Sequence, residues 1–231
     1  MDLCAAAFRF AQPSADVDRE RLQKQGWGLV RRPTGGRAVL HTDELTYSLT
    51  APQDDPYLSG SLLESYRKIS VALLAALRRL NIEANGDKHY GDAPTTGHQN
   101  PVCFESPSNY EITAQGKKLI GSAQARKHGG ILQHGSLPLY GDITRITWAL
   151  KYDNENERAR AANQVQTRAI TTASILPAPP SWHTAAQAFV EGFMESFDID
   201  FLESKPTEKE TKTAAQLFTS KYGSDAWTFR I

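Results

Sequence analysis

Cysteine is scarce in this 231-residue chain: only Cys4 and Cys103 occur, far apart and in unlike surroundings. That excludes a disulfide framework. With neither a CxxC pair nor a zinc-ligand spacing, it also argues against a thiol-built metal site. Two isolated thiols suit a reducing compartment, so a cytoplasmic location is expected. Long apolar runs are missing too. No stretch reaches the roughly 18 residues that mark a membrane-spanning helix, and the opening MDLCAAAFRF lacks the basic start and longer apolar core of an export signal. A lipid anchor on Cys4 would need such a signal ahead of it. Charge of one sign is also absent, because 26 basic and 26 acidic residues cancel. No general nucleic-acid or membrane surface is therefore expected, and a charged partner must be met by a local patch.

What remains fits one α/β domain spanning residues 1–231, long enough to bury a substantial core. Its centre is Asn100 to Leu139. Tyr110, Ile112 and Ala114 alternate with polar neighbours, Gln115 and Gly116 make a turn, and Leu119 and Ile120 open a return strand. The pattern repeats once. Gly121, Ser122, Ala123, Gln124 and Ala125 continue the strand with almost no bulk, Gly129 and Gly130 turn it, and Ile131 starts another strand through His134, Gly135 and Ser136. Strands so poor in large side chains suit the close approach of another molecule. Cys103 lies just upstream and Lys118 just past the first turn. A thiol and an amine brought together can run acyl transfer, the thiolate holding an acyl group as a thioester and the lysine moving protons. Taken singly, a lone cysteine is more often a small buried hydrophobe and a lone lysine a solvated side chain.

Elsewhere the signals are mainly structural. Asp16 to Gln25 reads as a helix stopped by Gly26, followed by a strand at Leu29 and Val30. The loop Arg31, Arg32, Pro33, Thr34, Gly35, Gly36, Arg37 is either a tight turn or a concave set of N–H groups for a phosphate or carboxylate. It is not a Walker loop. Val39 to His41 gives a strand, Asp43 and Glu44 a turn, and Leu45 to Leu49 the strand back. Within Ser59 to Asn81 a capping box at Ser61 and Glu64 opens a helix, with Leu62, Tyr66, Ile69, Leu73, Leu77 and Leu80 on one face. Asn85 to Gln99 is a polar loop, Ile143 to Leu150 alternates like a strand, and Asp153 to Pro180 has the composition of a mobile segment. Helices are expected at Ser181 to Phe197 and Thr207 to Lys221, both packed on the sheet, with Trp227 and Phe229 as core anchors.

The phrase CFESPSNYEITAQGKKLIGSAQARKHGGILQHGSLPL, read with VRRPTGGRAVLHTDELTYSL at Val30 to Leu49, resembles the lipoate/octanoate protein transferase and ligase family, and within it the cysteine-dependent octanoyltransferase branch. The resemblance runs from about Phe8 to the end and weakens over Asp153 to Pro180; the family's first strand and helix look missing or shortened. It implies the fold of the biotin/lipoate ligase catalytic domain, a mixed, largely antiparallel sheet flanked by helices. It also implies a protein-lysine octanoyltransferase. The octanoyl group leaves acyl carrier protein, rests on Cys103 and passes to a lysine of a glycine-cleavage H protein or an E2 lipoyl domain, with no cofactor and no metal. Lys118 then serves as base, and backbone N–H groups of Gly121, Ser122, Ala123 and Gln124 as oxyanion donors. Arg32, Thr34, Gly35, Gly36, His41, His134 and Gly135 complete the implied substrate site. Two other readings stay open: an ATP-dependent ligase using ATP and Mg, and a binder of acylated carriers that does not turn over. Ligase relatives carry an Asn-Asp pair where this chain has Tyr110 and Glu111, and they need no thiol at Cys103.

Overall fold

The computed structural model describes residues 5–8, 11–86 and 111–231. Cys103, Tyr110 and most of the Asn85 to Gln99 stretch lie outside them. Strand β1 (Ala5–Phe8) precedes helix α1 (Arg19–Gln25), which is capped by the Asp18 side chain and stopped by Gly26 in the left-handed conformation. Strands β2 (Gly28–Arg31) and β3 (Val39–His41) flank β1, parallel and antiparallel respectively, in a small sheet of order β2-β1-β3. Strand β4 (Glu44–Pro52) is not the return of β3: it pairs instead in a second, antiparallel sheet, so the turn at Asp43 carries the chain from one sheet to the other.

That second sheet has the order β4-β7-β6-β5, from β5 (Ile112–Ala114), β6 (Lys117–Lys127) and β7 (Gly130–Pro138). Both hairpins expected from the sequence form. The first turns at Gln115 and Gly116. The second turns one residue earlier than the glycine pair suggested, at His128 and Gly129, whose φ angles are 54° and 73°, because Gly130 is already paired with Lys127. Histidine tolerates the left-handed conformation better than most residues, which is why it can stand first in such a turn.

Helix α2 (Leu62–Arg79) opens with the expected capping box, Ser61 accepting from Glu64 N–H at 3.2 Å and Glu64 accepting from Ser61 N–H at 2.7 Å. Ile69, Leu73 and Leu77 are buried on the second sheet, each contributing about 1.5–3 kcal/mol, whereas Leu62 at the first turn is exposed. After β7 the segment Ile143–Trp148 is a 3-10 helix and not a strand: Ile146, Thr147, Ala149 and Leu150 are buried, a pattern that no two-residue alternation produces. Helix α3 (Glu155–Arg168), capped by Asn154, replaces the mobile segment expected there. Its buried stripe is Arg158, Ala161 and Val165. An arginine in the stripe is what hid the helical period, and it is held over the rings of Trp148 and Tyr152.

Helix α4 (Trp182–Phe197) packs on α2, where Gly192 lets the two backbones meet. Helix α5 (Glu208–Leu217), with its Thr207 and Glu210 capping box, buries no residue, contrary to the expected packing on the sheet. After it, α6 (Asp225–Thr228) brings Trp227 and Phe229 to half-buried positions beside β2, short of the core. Two cores result. One lies between the larger sheet, α2 and α4, around Ile69, Leu73, Leu119 and Phe189; the other gathers Val17, Leu22, Leu40, Ile146 and Val165 beside the small sheet.

Candidate active site

The register between β5 and β6 decides where Lys118 points. Ile112 pairs with Ile120, but Thr113 pairs with Lys118, so β6 advances two residues while β5 advances one. Leu119 is the extra residue of a β-bulge, and the bulge moves Lys118 to the face opposite Ile120. Alternation beyond Ile120 then assigns Gly121, Ala123 and Ala125 to the face of Lys118. Across the ladder these stand beside Ser136, His134 and Leu132, and β4 adds Thr46, Ser48 and Thr50. This is the groove face of the sheet. Three consecutive residues, Lys118, Leu119 and Ile120, are buried because the bulge sends each into packed surroundings.

Lys118 is 5% exposed and forms a short ion pair with the equally buried Glu111. Its carbonyl accepts from Ile170 N–H at 3.0 Å, which docks the end of α3 against the strand. Glu111 was not among the expected site residues. Its signal in the sequence was slight: an acidic residue just ahead of an apolar hairpin, seven positions before a lysine across a two-residue turn. A buried carboxylate in contact with an ammonium is also a place to put the proton that Lys118 must lose to act as a base.

His134, Thr34 and Arg32 come together in the fold. Arg32 donates to Thr34 Oγ1 at 2.8 Å, and Thr34 Oγ1 lies 2.7 Å from His134 Nε2. Burial chiefly, then the charge of Arg32 and the nearby His41, pushes the His134 imidazole down to about 4, so it is neutral at physiological pH. The Thr34 hydroxyl thus links the Arg32 guanidinium to the imidazole. His41 takes its place at the end of β3 with Nδ1 against Glu44. The Arg31 to Arg37 loop is less of an anion cradle than its composition suggested. The Arg32 guanidinium is turned onto the carbonyls of Gly35 and Arg37, and that of Arg31 onto those of Gln12 and Thr228.

The small residues of β6 divide by face. Ala123 and Gly121 line the groove, whereas the side chains of Ser122 and Gln124 face the helices. There Ser122 Oγ lies 2.7 Å from the Tyr47 hydroxyl, and Gln124 donates to Gln133 at 2.9 Å and accepts from Ser65 at 3.1 Å. Gly135 serves the same network. A Cβ there would fall 2.6 Å from Ser122 Oγ and 2.7 Å from the Tyr47 ring, so its lack of a side chain admits tyrosine and not a ligand. The backbone of Ser122 is a different matter. Its carbonyl accepts from the Tyr66 hydroxyl at 3.1 Å, so its N–H points the same way, off the edge of β6 that runs free of β5 after Ile120.

The model of the lipoyl protein ligase A/B catalytic domain matches residues 8–194. The chain belongs to that family. Curated relatives include the octanoyltransferase LipM of Kyrpidia tusciae, 39% identical over 227 residues covering 96% of this chain and 81% of the relative. The octanoyltransferase LipM of Carboxydothermus hydrogenoformans is 38% identical over 222 residues with the same coverage. Among solved structures, a bi-partite lipoate protein ligase from Thermoplasma acidophilum, described together with its E2 lipoyl domain, superposes with a TM-score of 0.81 at 25% identity over 98% of this chain and 80% of that one. A lipoate-protein ligase A bound with ATP gives 0.78 at 26% identity, covering 98% and 82%. The family's catalytic-domain fold, an antiparallel sheet flanked by helices, is the architecture observed here. Among the described residues no helix is long and apolar enough to cross a membrane, and no cluster of three or more His, Cys, Asp or Glu is placed to hold a metal ion.

Proposed function

We propose that this chain is an octanoyltransferase of protein lipoylation working through a thioester on Cys103. The single observation that carries the mechanism is Lys118, buried beside Glu111 and aimed by the Leu119 bulge onto the groove face; relatives at 34–39% identity named octanoyltransferases supply the reaction class. The Cys103 thiolate attacks the carrier's thioester carbonyl, and the carrier sulfur departs as a thiol with the proton of the Lys118 ammonium, which leaves that lysine neutral. The acceptor lysine then attacks the acyl-enzyme. Lys118 takes the proton from that amine, and Cys103 leaves again as thiolate. The N–H of Ser122, on the edge of β6 that no other strand pairs among the described residues, is the oxyanion donor of choice from the Gly121 to Gln124 set. The octanoyl chain lies along Gly121 and Ala123, with neutral His134 beside it and Arg32 and Thr34 holding that histidine in place. The donor is octanoyl-acyl carrier protein, and the acceptor a glycine-cleavage H protein or an E2 lipoyl domain. A thioester already carries the activation that ATP would supply, so no cofactor enters, and a reducing cytoplasm keeps Cys103 as a thiol.

The ligase reading draws on the ATP-bound structural relative. Against it, two of the three guanidiniums of the Arg31 to Arg37 loop, those of Arg31 and Arg32, are turned onto backbone carbonyls and not toward a triphosphate. Mass spectrometry separates the two. Mixed with octanoyl-carrier protein without ATP, the wild type should gain one octanoyl group, and Cys103→Ala should gain none while keeping its fold. If the acceptor is instead modified only with free acid and ATP, the transferase reading fails.

A further inference from the structure

Where the groove face meets the C-terminal segment there is a cleft of about 690 Å³. Thr50, Ala125 and Leu132 form its floor, and Tyr222 and Trp227 its far wall. The floor continues the groove face beyond Gly121 and Ala123, the residues assigned to the octanoyl chain, and the wall is new to it. The floor residues are the next same-face positions after Ser48, Ala123 and His134, so groove and cleft are one continuous surface. The wall is fixed: Trp227 donates from its indole nitrogen to Arg31 O at 2.8 Å, the Lys221 ammonium lies 5.0 Å from the rings of both Tyr222 and Trp227, and Arg230 lies 4.4 Å from Trp227. With those cationic heads over ring faces, their aliphatic stems leave the wall largely apolar.

Length decides what reaches this cleft. An extended eight-carbon chain spans the equivalent of two to three residues of backbone, about 9 Å, and β6 rises about 3.3 Å per residue. An acyl chain whose carbonyl lies near Gly121 therefore ends just past Ala123, about one residue short of Ala125, which only longer chains reach. We propose that the cleft receives the distal carbons of straight acyl chains longer than eight carbons, so that Tyr222 and Trp227, not the end of the small-residue row, set the upper limit of chain length. This rests on the transferase reading for the direction in which the chain lies.

The test is a length series. Octanoyl, decanoyl and dodecanoyl carrier thioesters are compared as donors for the wild type, Ala125→Phe and Thr50→Phe. Thr50 is exposed, so its replacement leaves the fold intact even if the Ala125 variant does not. The wild type should use decanoyl and dodecanoyl donors within about 10-fold of octanoyl. Each methylene buried is worth about fourfold, so either Phe variant should lower the dodecanoyl rate by about 10- to 100-fold while leaving octanoyl within about twofold. Wild-type rejection of decanoyl, equal loss at every length, or no loss at any length would each overturn the proposal. Free acids with ATP are run alongside. If only those are used, the donor assignment has failed, and the same length profile still decides the cleft.

Discussion

Lys118 and Glu111 are each under a tenth exposed, so their charges stand or fall together. Removing one partner of a buried ion pair costs about 3–5 kcal/mol, because the other loses its nearest opposite charge. Lys118→Ala alone therefore confounds chemistry with folding. The Lys118→Met, Glu111→Gln double variant removes both charges at nearly constant volume and should fold. It should still form some acyl adduct on Cys103, yet deliver it to the acceptor about 100- to 10,000-fold more slowly, the usual contribution of a general base. Mass spectrometry of the adduct alongside single-turnover transfer reads this, and normal transfer would remove Lys118 from the mechanism. His134 gives a second residue-scale expectation. Its imidazole is pushed down to about 4, whereas an unfolded histidine titrates near 6.5. Below about pH 6.5 the unfolded chain binds a proton that the folded one refuses. The stabilisation is thus whole above that pH and is lost as pH falls toward 4, by about 2 kcal/mol after solvent screening. Urea midpoints between those limits should fall more steeply for wild type than for His134→Asn, and parallel curves would contradict the assignment.

At the scale of elements, α2 and α4 touch backbone to backbone. A Cβ on Gly192 would lie 2.6 Å from Ala76 N and 2.7 Å from Ala72 O. Alanine gains about 1 kcal/mol over glycine inside a helix, but two packed helices must part to admit it, and overpacking of this kind costs about 1–3 kcal/mol or more. The steric cost wins. Gly192→Ala should lose about 2 kcal/mol, read as a midpoint about 4–8 °C lower on heating; a stabilised variant would mean that the helices separate freely. Where local signals were strong the elements were legible: the capping boxes at Ser61 and Thr207, the Gly26 stop, and the Gln115-Gly116 turn. The misreadings share a cause. Period was obscured in α3 by the buried Arg158, and the 143–148 segment mimicked a strand because Ile146 and Trp148 are two apart, although Trp148 is 42% exposed. Helix α5 has every local helix signal and no apolar face committed to the core, so its sequence announces a helix but not its exposure. In the candidate site, only the family resemblance singles out Lys118, which taken alone reads as a solvated side chain. The bulge that aims it, and Glu111 beside it, depend on a pairing register between strands, which only the folded sheet supplies.

At the scale of the whole molecule, two cores share one chain, and the last eight residues lie outside both, against β2 of the smaller sheet. Ser14 N–H donates to Ile231 O at 2.7 Å, Arg31 Nε to Thr228 O at 2.8 Å, and the Arg19 guanidinium lies 3.8 Å over the Phe229 ring. These contacts clasp β2 and the start of α1, and they give the 4% exposed Arg31 one of its acceptors. Removing residues 224–231 should therefore weaken one part of the protein more than the rest. A charged donor buried without its acceptor costs about 1–3 kcal/mol, and the lost packing of Trp227 and Phe229 adds to it. Hydrogen exchange should show lost protection at the amides of β1 and β2, while β4, β6, β7 and α2, whose core contains none of the clasp, exchange as before. Uniform loss across both sheets would mean that the two cores open as one cooperative unit. Unchanged exchange in β2 would mean that the clasp contributes nothing, and that Trp227 is held in the wall of the cleft by its aromatic and cationic neighbours alone.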